Sequence, residues 1–510
     1  MKKLAKQLLC AALLVVMLIS VVACGSQAEQ TSSDASVSSG NGSEVSDEVS
    51  SDPTEQYLDE DGNYVPKLGV LNEYKDRTFT IVVRGEYYGT YQSDDFTTET
   101  AGNGGIDYGD AYYTEVGARN DKIEEDYGIE LVVEKIENPR GAIEEDARVG
   151  GQLYDAAVIH VVEDASVLAQ NDLLCNLYTL KNFDYNAPWW DASANEAYSI
   201  GDKLYFTTGD INIMNKANTW CILFNKQMVT DYNLANPYEM FRDGSWTFDK
   251  LAEMANTVHS AAGPEDMDNP DAVFGMVTAY GDALEFYGAS GMTLCEKDSD
   301  NNPALAFGNS EASVNLAESV LTNLKNADWK IYAQTSGVGM QPAFKLFWTG
   351  RALFRPSGFT AVTKCRSLAE MNFGILPMPK VTDTQDGYYT TSTGTFVACI
   401  PKNCADPEFS AYMLDAFAAG AKNFVTPAYI EANLKQKSLR DNDSEEILEY
   451  IYSHIIYDVG RVYNFGKVTS VMFDLAKNNT SDIVSSMDSI RDTINLEIED
   501  LIFDYEGNET

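Results

Sequence analysis

The sequence predicts an α/β protein of two lobes, each lobe a mostly parallel sheet flanked by helices. Strand-like and helix-like segments alternate along the body of the chain, which favours parallel sheets with helices on both faces. About 450 residues follow a polar leader, and this length exceeds what one ordinary hydrophobic core accommodates. The sequence shows no internal repeat at a fixed period, which disfavours a solenoid or a propeller.

The first 23 residues have the layout of a secretory signal. "MKKLAKQLLCAALLVVMLISVVAC" begins with lysines, continues as an apolar run from Leu8 to Ala23 and ends at small residues. The run is shorter than the roughly 20 residues that span a bilayer comfortably. We predict a signal peptide over 1–23, and an uncleaved membrane anchor is the alternative.

The four residues Val21-Val22-Ala23-Cys24 resemble a bacterial lipobox. That resemblance implies cleavage before Cys24, acylation of its sulfur and a location on the outer face of the cell membrane. Residues 25 to about 58 are Ser-rich and acidic, with almost no large apolar side chains, so we expect 24–58 to be a disordered tether.

Charge and histidine content exclude several classes of function. The formal net charge of −42 disfavours binding to nucleic acid. Three histidines, His160, His259 and His454, make a His-rich zinc site implausible, and no cofactor is expected. The chain has no GxSxG elbow and no P-loop, because the Gly466-Lys467 pair is followed by valine.

Three strands and two helices open the first lobe. The strands are "RTFTIVVRGEYYG", "IELVVEKIE" and "YDAAVIH"; the helices between them are "AYYTEVGARNDKIEEDYG" and "RGAIEEDARVGG". Ligands bind beyond the carboxyl ends of such strands, which places residues 84–88 and His160 near any site in this lobe.

The second lobe follows the same alternation. "TWCILFNKQMV" is a strand that runs into a helix, and "GSWTFDKLAEMANTVH" is a helix that Thr247 can cap. "AVFGMVTAYG", "RALFRPSG" and "FGILPMPK" are short apolar strands. The region from about 440 to 504 is helical by its pattern.

Several stretches resemble the family 1 extracellular solute-binding proteins of ABC importers. They include "LYFTTGD", "TWCILFNKQMVTDYNLANPYE", "SWTFDKLAEMA", "LFWTGRALFRPSG" and "FGILPMPK", and they occur in the family's order over most of residues 75–420. The last 90 residues match no motif of the family, and 209–217 carries few family-typical residues.

The resemblance implies a two-lobed, periplasmic-binding-protein-like fold of type II, joined by hinge strands. Lobe 1 would hold 70–217 and about 388–435, and lobe 2 would hold 219–385 and part of the helices in 436–505. "NTWCILFN" and "TSTGTFVACI" would be the hinge strands, and the cleft between the lobes would close on a solute. The partners implied are the solute and the transmembrane subunits of an ABC permease; we expect a monomer.

The predicted strand ends and the resemblance together give ten candidate solute-binding residues. Each has a structural alternative: Trp220 can be core, Arg355 can bind a carboxylate or a vicinal diol or form an ordinary ion pair, and His160 can be structural. Trp189, Trp190 and Trp246 are expected to pack. The ten candidates are Tyr87, Tyr88, His160, Asn218, Thr219, Trp220, Arg355, Ser357, Gly358 and Phe359.

The expected solute is a carbohydrate, and an oligosaccharide in particular, with peptides and other polar solutes as alternatives. A surface glycoside hydrolase is the main rival, since it needs only two carboxylates about 5–10 Å apart. No recognisable catalytic motif supports it, so we predict a protein that is not an enzyme. A surface adhesin would show repeats or sandwich-like strands.

Two further patterns concern metals and cysteines. "DEDGNY" and "DSDNNP" resemble calcium loops but lack the full ligand spacing, so turns are favoured. The cysteines after Cys24 do not form a disulfide scaffold, and buried free thiols are favoured for them. By proximity in sequence, Cys399 and Cys404 are the pair most suited to a bond.

Overall fold

The computed structural model describes residues 54–85, 92–99, 106–261, 263–325, 327–337, 339–364, 371–392, 394–431 and 442–507. The signal segment, Cys24, most of the tether, Tyr87, Tyr88 and Cys365 lie outside the described residues. Residues Pro53–Thr510 form one compact unit. Within the described ranges, no helix is both long and apolar enough to cross a membrane.

Fourteen strands are present in the described ranges: β1 Thr78–Arg84, β2 Glu130–Ile136, β3 Ala156–His160, β4 Phe206–Thr207, β5 Trp220–Asn225, β6 Phe274–Thr278, β7 Cys295–Lys297, β8 Pro303–Leu305, β9 Lys330–Tyr332, β10 Ala352–Gly358, β11 Phe373–Leu376, β12 Thr390–Thr391, β13 Phe396–Cys399 and β14 Ile455–Ile456.

The α-helices of the same ranges are α1 Asp110–Tyr127, α2 Pro139–Arg148, α3 Ser166–Gln170, α4 Ala192–Tyr198, α5 Met214–Ala217, α6 Lys226–Asp231, α7 Pro237–Arg242, α8 Phe248–Val258, α9 Asp282–Gly288, α10 Glu311–Leu324, α11 Met340–Trp348, α12 Thr360–Lys364, α13 Pro407–Asn423, α14 Val425–Tyr429, α15 Asn442–Ser453, α16 Val459–Tyr463, α17 Ser470–Lys477, α18 Ile483–Asp488 and α19 Arg491–Gly507.

Two five-stranded sheets organise the molecule. Lobe 1 is built on the sheet ordered β2-β1-β3-β13-β4, and lobe 2 on the sheet ordered β11-β5-β10-β6-β9. In lobe 1, β13 runs antiparallel to both of its neighbours, and in lobe 2, β5 does so. The remaining neighbours pair in parallel. The α/β, two-lobed fold class is confirmed.

The two antiparallel strands follow from the path of the chain. β5 enters lobe 2 from lobe 1, and β13 enters lobe 1 from lobe 2. Each arrives at the edge where the parallel strands of its new sheet end, so it must run in the opposite direction. β5 contains six of the eight residues of the predicted hinge segment "NTWCILFN", and β13 contains four of the ten residues of "TSTGTFVACI".

Local sequence explains the interior of lobe 1. All five residues of β3 are buried, as expected for a strand with helices on both sides of its sheet. On α1 the predicted face of Val116, Arg119, Ile123 and Tyr127 is buried, and the helix ends at Gly128, whose φ of 66° is left-handed.

In lobe 2, the predicted cap of α8 is present. Thr247 caps this helix by accepting a hydrogen bond from Lys250 N at 3.2 Å.

The connections between the lobes are bonded to one another. The first crossing comprises residues 217–220, and the second crossing comprises residues 390–392 and 394–395. A bridge between Thr219 and Ser392 joins the two crossings. Thr390 Oγ1 donates to Trp220 O at 2.6 Å. A boundary segment, 454–458, lies beside them because β14 pairs in parallel with β12. The boundary segment belongs to the C-terminal region that matched no family motif.

The ordered body begins earlier than the sequence predicted. Tyr57 is 3% exposed, its ring centroid lies 5.3 Å from that of Trp189, and its hydroxyl donates to Asp184 at 2.9 Å. The predicted tether over 24–58 therefore extends a few residues too far. One aromatic side chain in a polar stretch was enough to fix the segment on lobe 1.

The predicted packing role of three tryptophans agrees with the structure. The Trp189 and Trp190 indole nitrogens both donate to Asp415 Oδ1, at 2.9 and 2.7 Å. The Trp246 indole donates to Pro377 O at 3.0 Å, and the side chain is fully buried.

The suggested bond between Cys399 and Cys404 is wrong. All five described cysteines are free, and four of them are buried. Cys399 lies inside β13, whereas Cys404 follows a turn after that strand and lies beside Cys175. Proximity in sequence is a poor guide here, because the turn places Cys404 beside the segment that contains Cys175 and not beside Cys399.

The two calcium-like stretches are turns. Asp59 Oδ1 accepts from Asp61 N and Asn63 N, at 2.9 and 2.8 Å. Asp298 Oδ1 does the same for Asp300 N and Asn302 N, at 2.9 and 2.8 Å. No cluster of three metal-ligating side chains occurs among the residues described.

Candidate functional site between the lobes

A cavity of about 160 Å³ lies where the two lobes meet the second crossing and the boundary segment. Lobe 1 contributes the turn after β3 and the end of α4, and lobe 2 contributes α9. The lining residues are Val161, Val162, Tyr198, Leu284, Glu285, Ser392, Gly394, Ile456, Tyr457, Asp458, Arg461, Val462 and Thr469.

A buried ion pair forms the polar wall of this cavity. Arg461 Nη1 donates to both carboxylate oxygens of Glu285, at 2.9 and 3.0 Å, and Nη2 donates to Leu284 O at 3.0 Å. The Thr391 hydroxyl also donates to Glu285. The side chains of Arg461 and Glu285 are 13% and 7% exposed, so the pair is largely removed from water. The pair thus joins α16, α9 and the second crossing.

Tyr457 ties the boundary segment to lobe 1. Its hydroxyl lies 2.8 Å from Asp191 Oδ2 and 2.7 Å from Asn215 Oδ1. Its ring packs edge-on against Tyr198, with centroids 5.5 Å apart. Burial raises the pKa of Tyr457 well above its ordinary value, so the hydroxyl keeps its proton.

Asp458 ties the same segment to lobe 2. Its carboxylate accepts from Leu294 N at 2.6 Å and from Cys295 N at 3.3 Å, both just before or at the start of β7. It also accepts from Gly460 N at 2.8 Å, which caps α16. Neighbouring residues 457 and 458 therefore bond to opposite lobes.

His160 closes β3 beside the cavity as a neutral ring. Its Nδ1 accepts from Glu163 N at 3.1 Å, so in the neutral ring the proton sits on Nε2. Burial, together with the Arg84 charge, lowers the pKa of His160 to about 4. Arg84 itself donates to both oxygens of Asp164, at 2.5 and 2.6 Å.

The structure brings His160 and Asn218 together at the second crossing. Asn218 Nδ2 donates to Gly394 O at 3.1 Å. A Cβ on Gly394 would lie 3.3 Å from His160 Nε2 and 3.8 Å from Asn218 Nδ2, and the φ of Gly394 is +68°. Two of the ten candidates thus flank a glycine that lines the cavity.

Four more candidates lie on the paired strands β5 and β10: Trp220, Arg355, Ser357 and Gly358. Trp220 pairs with Gly358 at the end of the ladder, and Ser357 pairs with Cys221. Trp220 is half-buried, so its ring keeps accessible surface, whereas Ser357 is 9% exposed. Trp220 is therefore the most accessible of the candidates described.

Thr219 and Phe359, two further candidates, are fully buried and pack inside the protein. Thr219 Oγ1 donates to Asn215 O at 2.9 Å, and Phe359 N donates to Thr219 O at 3.2 Å. The Phe359 ring packs against Tyr452, with centroids 5.5 Å apart. Neither side chain has surface left for a solute in this structure.

Arg355 packs within lobe 2. Its guanidinium lies 4.4 Å from the ring centroid of Phe344 and 5.6 Å from that of Trp348, both on α11. Such cation–π contacts hold the charge against the helix. Its positive charge lowers the pKa of Asp282, but burial dominates and raises that pKa to about 7.

Sequence reasoning missed the cavity residues of the C-terminal region. Arg461, Asp458 and Tyr457 belong to "IIYDVGRVY", which matched no motif. One signal was present: an arginine in a largely apolar stretch, such as Arg461 here, often has a buried partner. The partner, Glu285, is distant in sequence, so the pattern alone does not identify it.

The two carboxylates that line the cavity are both engaged. Arg461 and the Thr391 hydroxyl bind the oxygens of Glu285, and backbone N–H groups bind those of Asp458. A glycoside hydrolase needs one carboxyl group that can give a proton and another that faces water or the sugar. This pair is arranged for structure and not for that chemistry.

No family model matches the chain, and no curated protein matches it. Solved structures do match. An ABC substrate-binding protein from Listeria monocytogenes, solved in complex with cycloalternan, has 14% identity and a TM-score of 0.53; the match covers 83% of this chain and 100% of that one.

Two other matches have the same extent. A cyclo/maltodextrin-binding protein complexed with maltotetraose has 13% identity and a TM-score of 0.53, over 84% of this chain and 99% of that one. The GacH receptor of Streptomyces glaucescens, solved unliganded and with acarbose, has 13% identity and a TM-score of 0.51, over 84% and 98%. The chain therefore has the two-lobed, periplasmic-binding-protein-like fold of these proteins.

Proposed function

We propose that this protein is a receptor of an ABC importer that captures a carbohydrate, in particular an oligosaccharide, between its lobes. The observation that carries the proposal is the junction itself. Two sheets are joined by bonded crossings beside a cavity, in a fold whose solved examples include proteins bound to cycloalternan and maltotetraose.

The chemistry beside the junction suits an uncharged, hydroxyl-rich solute. A neutral His160 and the Asn218 amide offer hydrogen-bonding groups, and half-buried Trp220 offers an aromatic face. Hydroxyl groups both donate and accept, and sugar rings stack on aromatic faces. The charged groups that line the cavity already have partners, so a charged solute would gain little there.

The proposal includes a lipid anchor at Cys24, with the Ser-rich tether between the membrane and the folded unit. A tether raises the effective concentration of the receptor at a permease in the same membrane without any new contact. The permease and its ATPase would be separate chains, and the receptor would act as a monomer.

A thermal-shift screen of the chain from Pro53 against an oligosaccharide panel tests the function, with each sample checked for breakdown products. A ligand at a hundredfold excess over its dissociation constant should stabilise the fold by about 2.7 kcal/mol. Trp220→Ala should abolish the shift. Tyr232→Ala, which removes an exposed aromatic of lobe 2, should leave it unchanged.

The outcomes separate the candidate functions. A shift with the glycan intact supports a receptor. A glycan that disappears supports an enzyme, and a shift with peptides alone replaces the proposed solute class. Equal shifts in both variants would contradict the placement of the solute beside Trp220.

A further inference from the structure

Cys175 and Cys404 lie side by side on two segments of lobe 1. Leu174 pairs with Pro401 in an antiparallel bridge, and Cys175 N donates to Ile400 O at 2.9 Å. A turn then folds the chain back, because Cys404 N donates to Pro401 O at 3.1 Å. The turn brings Cys404 back beside Cys175, close enough for each thiol to influence the pKa of the other. The Cys175 thiol itself donates to Pro401 O at 3.7 Å.

The surroundings of this pair differ from those of the other described cysteines. Cys175 is half-buried and is the member of the pair that a reagent in water can reach, while Cys404 is buried, as are Cys221, Cys295 and Cys399. The neighbouring Cys175 thiol lowers the pKa of the Cys404 thiol, which also accepts a hydrogen bond from Ser410 Oγ at 3.9 Å. Desolvation raises the pKa of each of the three buried thiols instead.

We infer that Cys175 and Cys404 form a disulfide once the chain reaches an oxidising compartment. The inference rests on the proposed export of the chain, since cytosolic thiols are kept reduced. The reaction needs only the two thiols and a low-molecular-weight disulfide as oxidant.

The exchange proceeds in two balanced steps. The Cys404 thiolate attacks one sulfur of the small disulfide, forms a mixed disulfide and releases one small thiolate. Cys175 then loses its proton and attacks the Cys404 sulfur, which expels the second small thiolate. The protein loses two hydrogens, and one small disulfide becomes two thiols.

The position of the bond gives it a structural consequence. Every strand of the lobe 2 sheet lies in sequence between Cys175 and Cys404. The disulfide would therefore close, within lobe 1, the long loop that contains that sheet. Cross-links that close long loops stabilise most in the chain-entropy model. The bond would not involve the crossings or the boundary segment, so it would leave hinge motion free.

Peptide mapping tests the inference directly. The chain from Pro53 is incubated with oxidised glutathione, alkylated without reduction and digested. We expect a cross-linked peptide that contains Cys175 and Cys404, and a rise in melting temperature that a reductant reverses. Cys175→Ser should lose both effects, and Cys295→Ala should keep both.

Three results would overturn it: separate alkylated Cys175 and Cys404 peptides after oxidation, a stable glutathione adduct on Cys404, or a Cys399–Cys404 bond. The mapping does not depend on whether a sugar binds, so the inference and the proposed function can fail separately.

Discussion

At the scale of single residues, Arg461 is the side chain whose loss should cost most at the junction. Arg461→Met would remove the positive charge from the buried Glu285 carboxylate and leave it the hydrogen bond from the Thr391 hydroxyl. An uncompensated buried charge costs about 3–5 kcal/mol, and urea unfolding would measure the loss. Arg242→Met, which breaks more exposed pairs with Glu239, Asp443 and Glu446, should cost much less, because water screens those pairs. Equal losses would contradict this interpretation.

Asp415 makes a pH-dependent contribution to stability. Burial raises its pKa from 3.8 to about 7, against the hydrogen bonds from Asp184 N and the two tryptophans. The folded state therefore holds the proton more tightly, and this contribution is complete below about pH 3.8 and lost as the pH rises through about 7. The unfolding free energy of the wild type minus that of Asp415→Asn should fall over this range. A difference independent of pH would contradict it.

At this scale the sequence pattern predicts which side of a helix is buried, but it does not identify contacts between residues that are distant in sequence. Val116 and Ile123 were predicted to share a buried face because helical spacing is local. The Trp189-Trp190 pair was expected to pack, but nothing near it in sequence points to Asp415. Thr219 and Phe359 are candidates by resemblance to a family, and that resemblance does not reveal that both side chains are buried.

At the scale of elements, the β7–β8 hairpin of lobe 2 reaches across to lobe 1. Asn301 Nδ2 donates to Ser199 Oγ at 3.0 Å and to Gly201 O at 2.8 Å, and Gly201 N donates to Asn301 O at 3.1 Å. Lys297 also donates to Ser199 O. The hairpin is thus a further attachment between the lobes, apart from the crossings and the boundary segment.

Asn301→Gly keeps the positive φ of 61° and removes the two side-chain bonds. Each bond contributes about 1 kcal/mol, so exchange of the Gly201 amide with solvent should accelerate about tenfold or more. Asn233→Gly is the matched control, since Asn233 is exposed and also has a positive φ, of 51°. Unchanged Gly201 exchange in Asn301→Gly would show that the hairpin does not hold the lobes.

Element prediction succeeded where a segment was long enough to show a period. The strands around residues 78–84 and 156–160 were found from their apolar, β-branched residues. β12 and β14 have two residues each and show no period, so the boundary segment was not predicted. It exists because a neighbouring strand and Asp458 hold it, and such contacts are not local in sequence.

At the scale of the whole molecule, substitution of one cysteine tests the proposed lipid anchor. In cells fed a labelled fatty acid, Cys24→Ala should remove the acylation site and so abolish the lipid label on the protein. Cys10→Ala, in the apolar run of the signal, is the matched control and should keep the label. A lipid label that persists in Cys24→Ala would contradict an anchor at Cys24.

The central claim is that a carbohydrate binds between the lobes. Hydrogen–deuterium exchange of the chain from Pro53, with and without an oligosaccharide that stabilises it, tests this claim most directly. The account predicts slower exchange in both lobes at once, in the turn after β3, the first and second crossings, α9 and the boundary segment. Protection confined to one lobe, or absent from the crossings and the boundary segment, would contradict it.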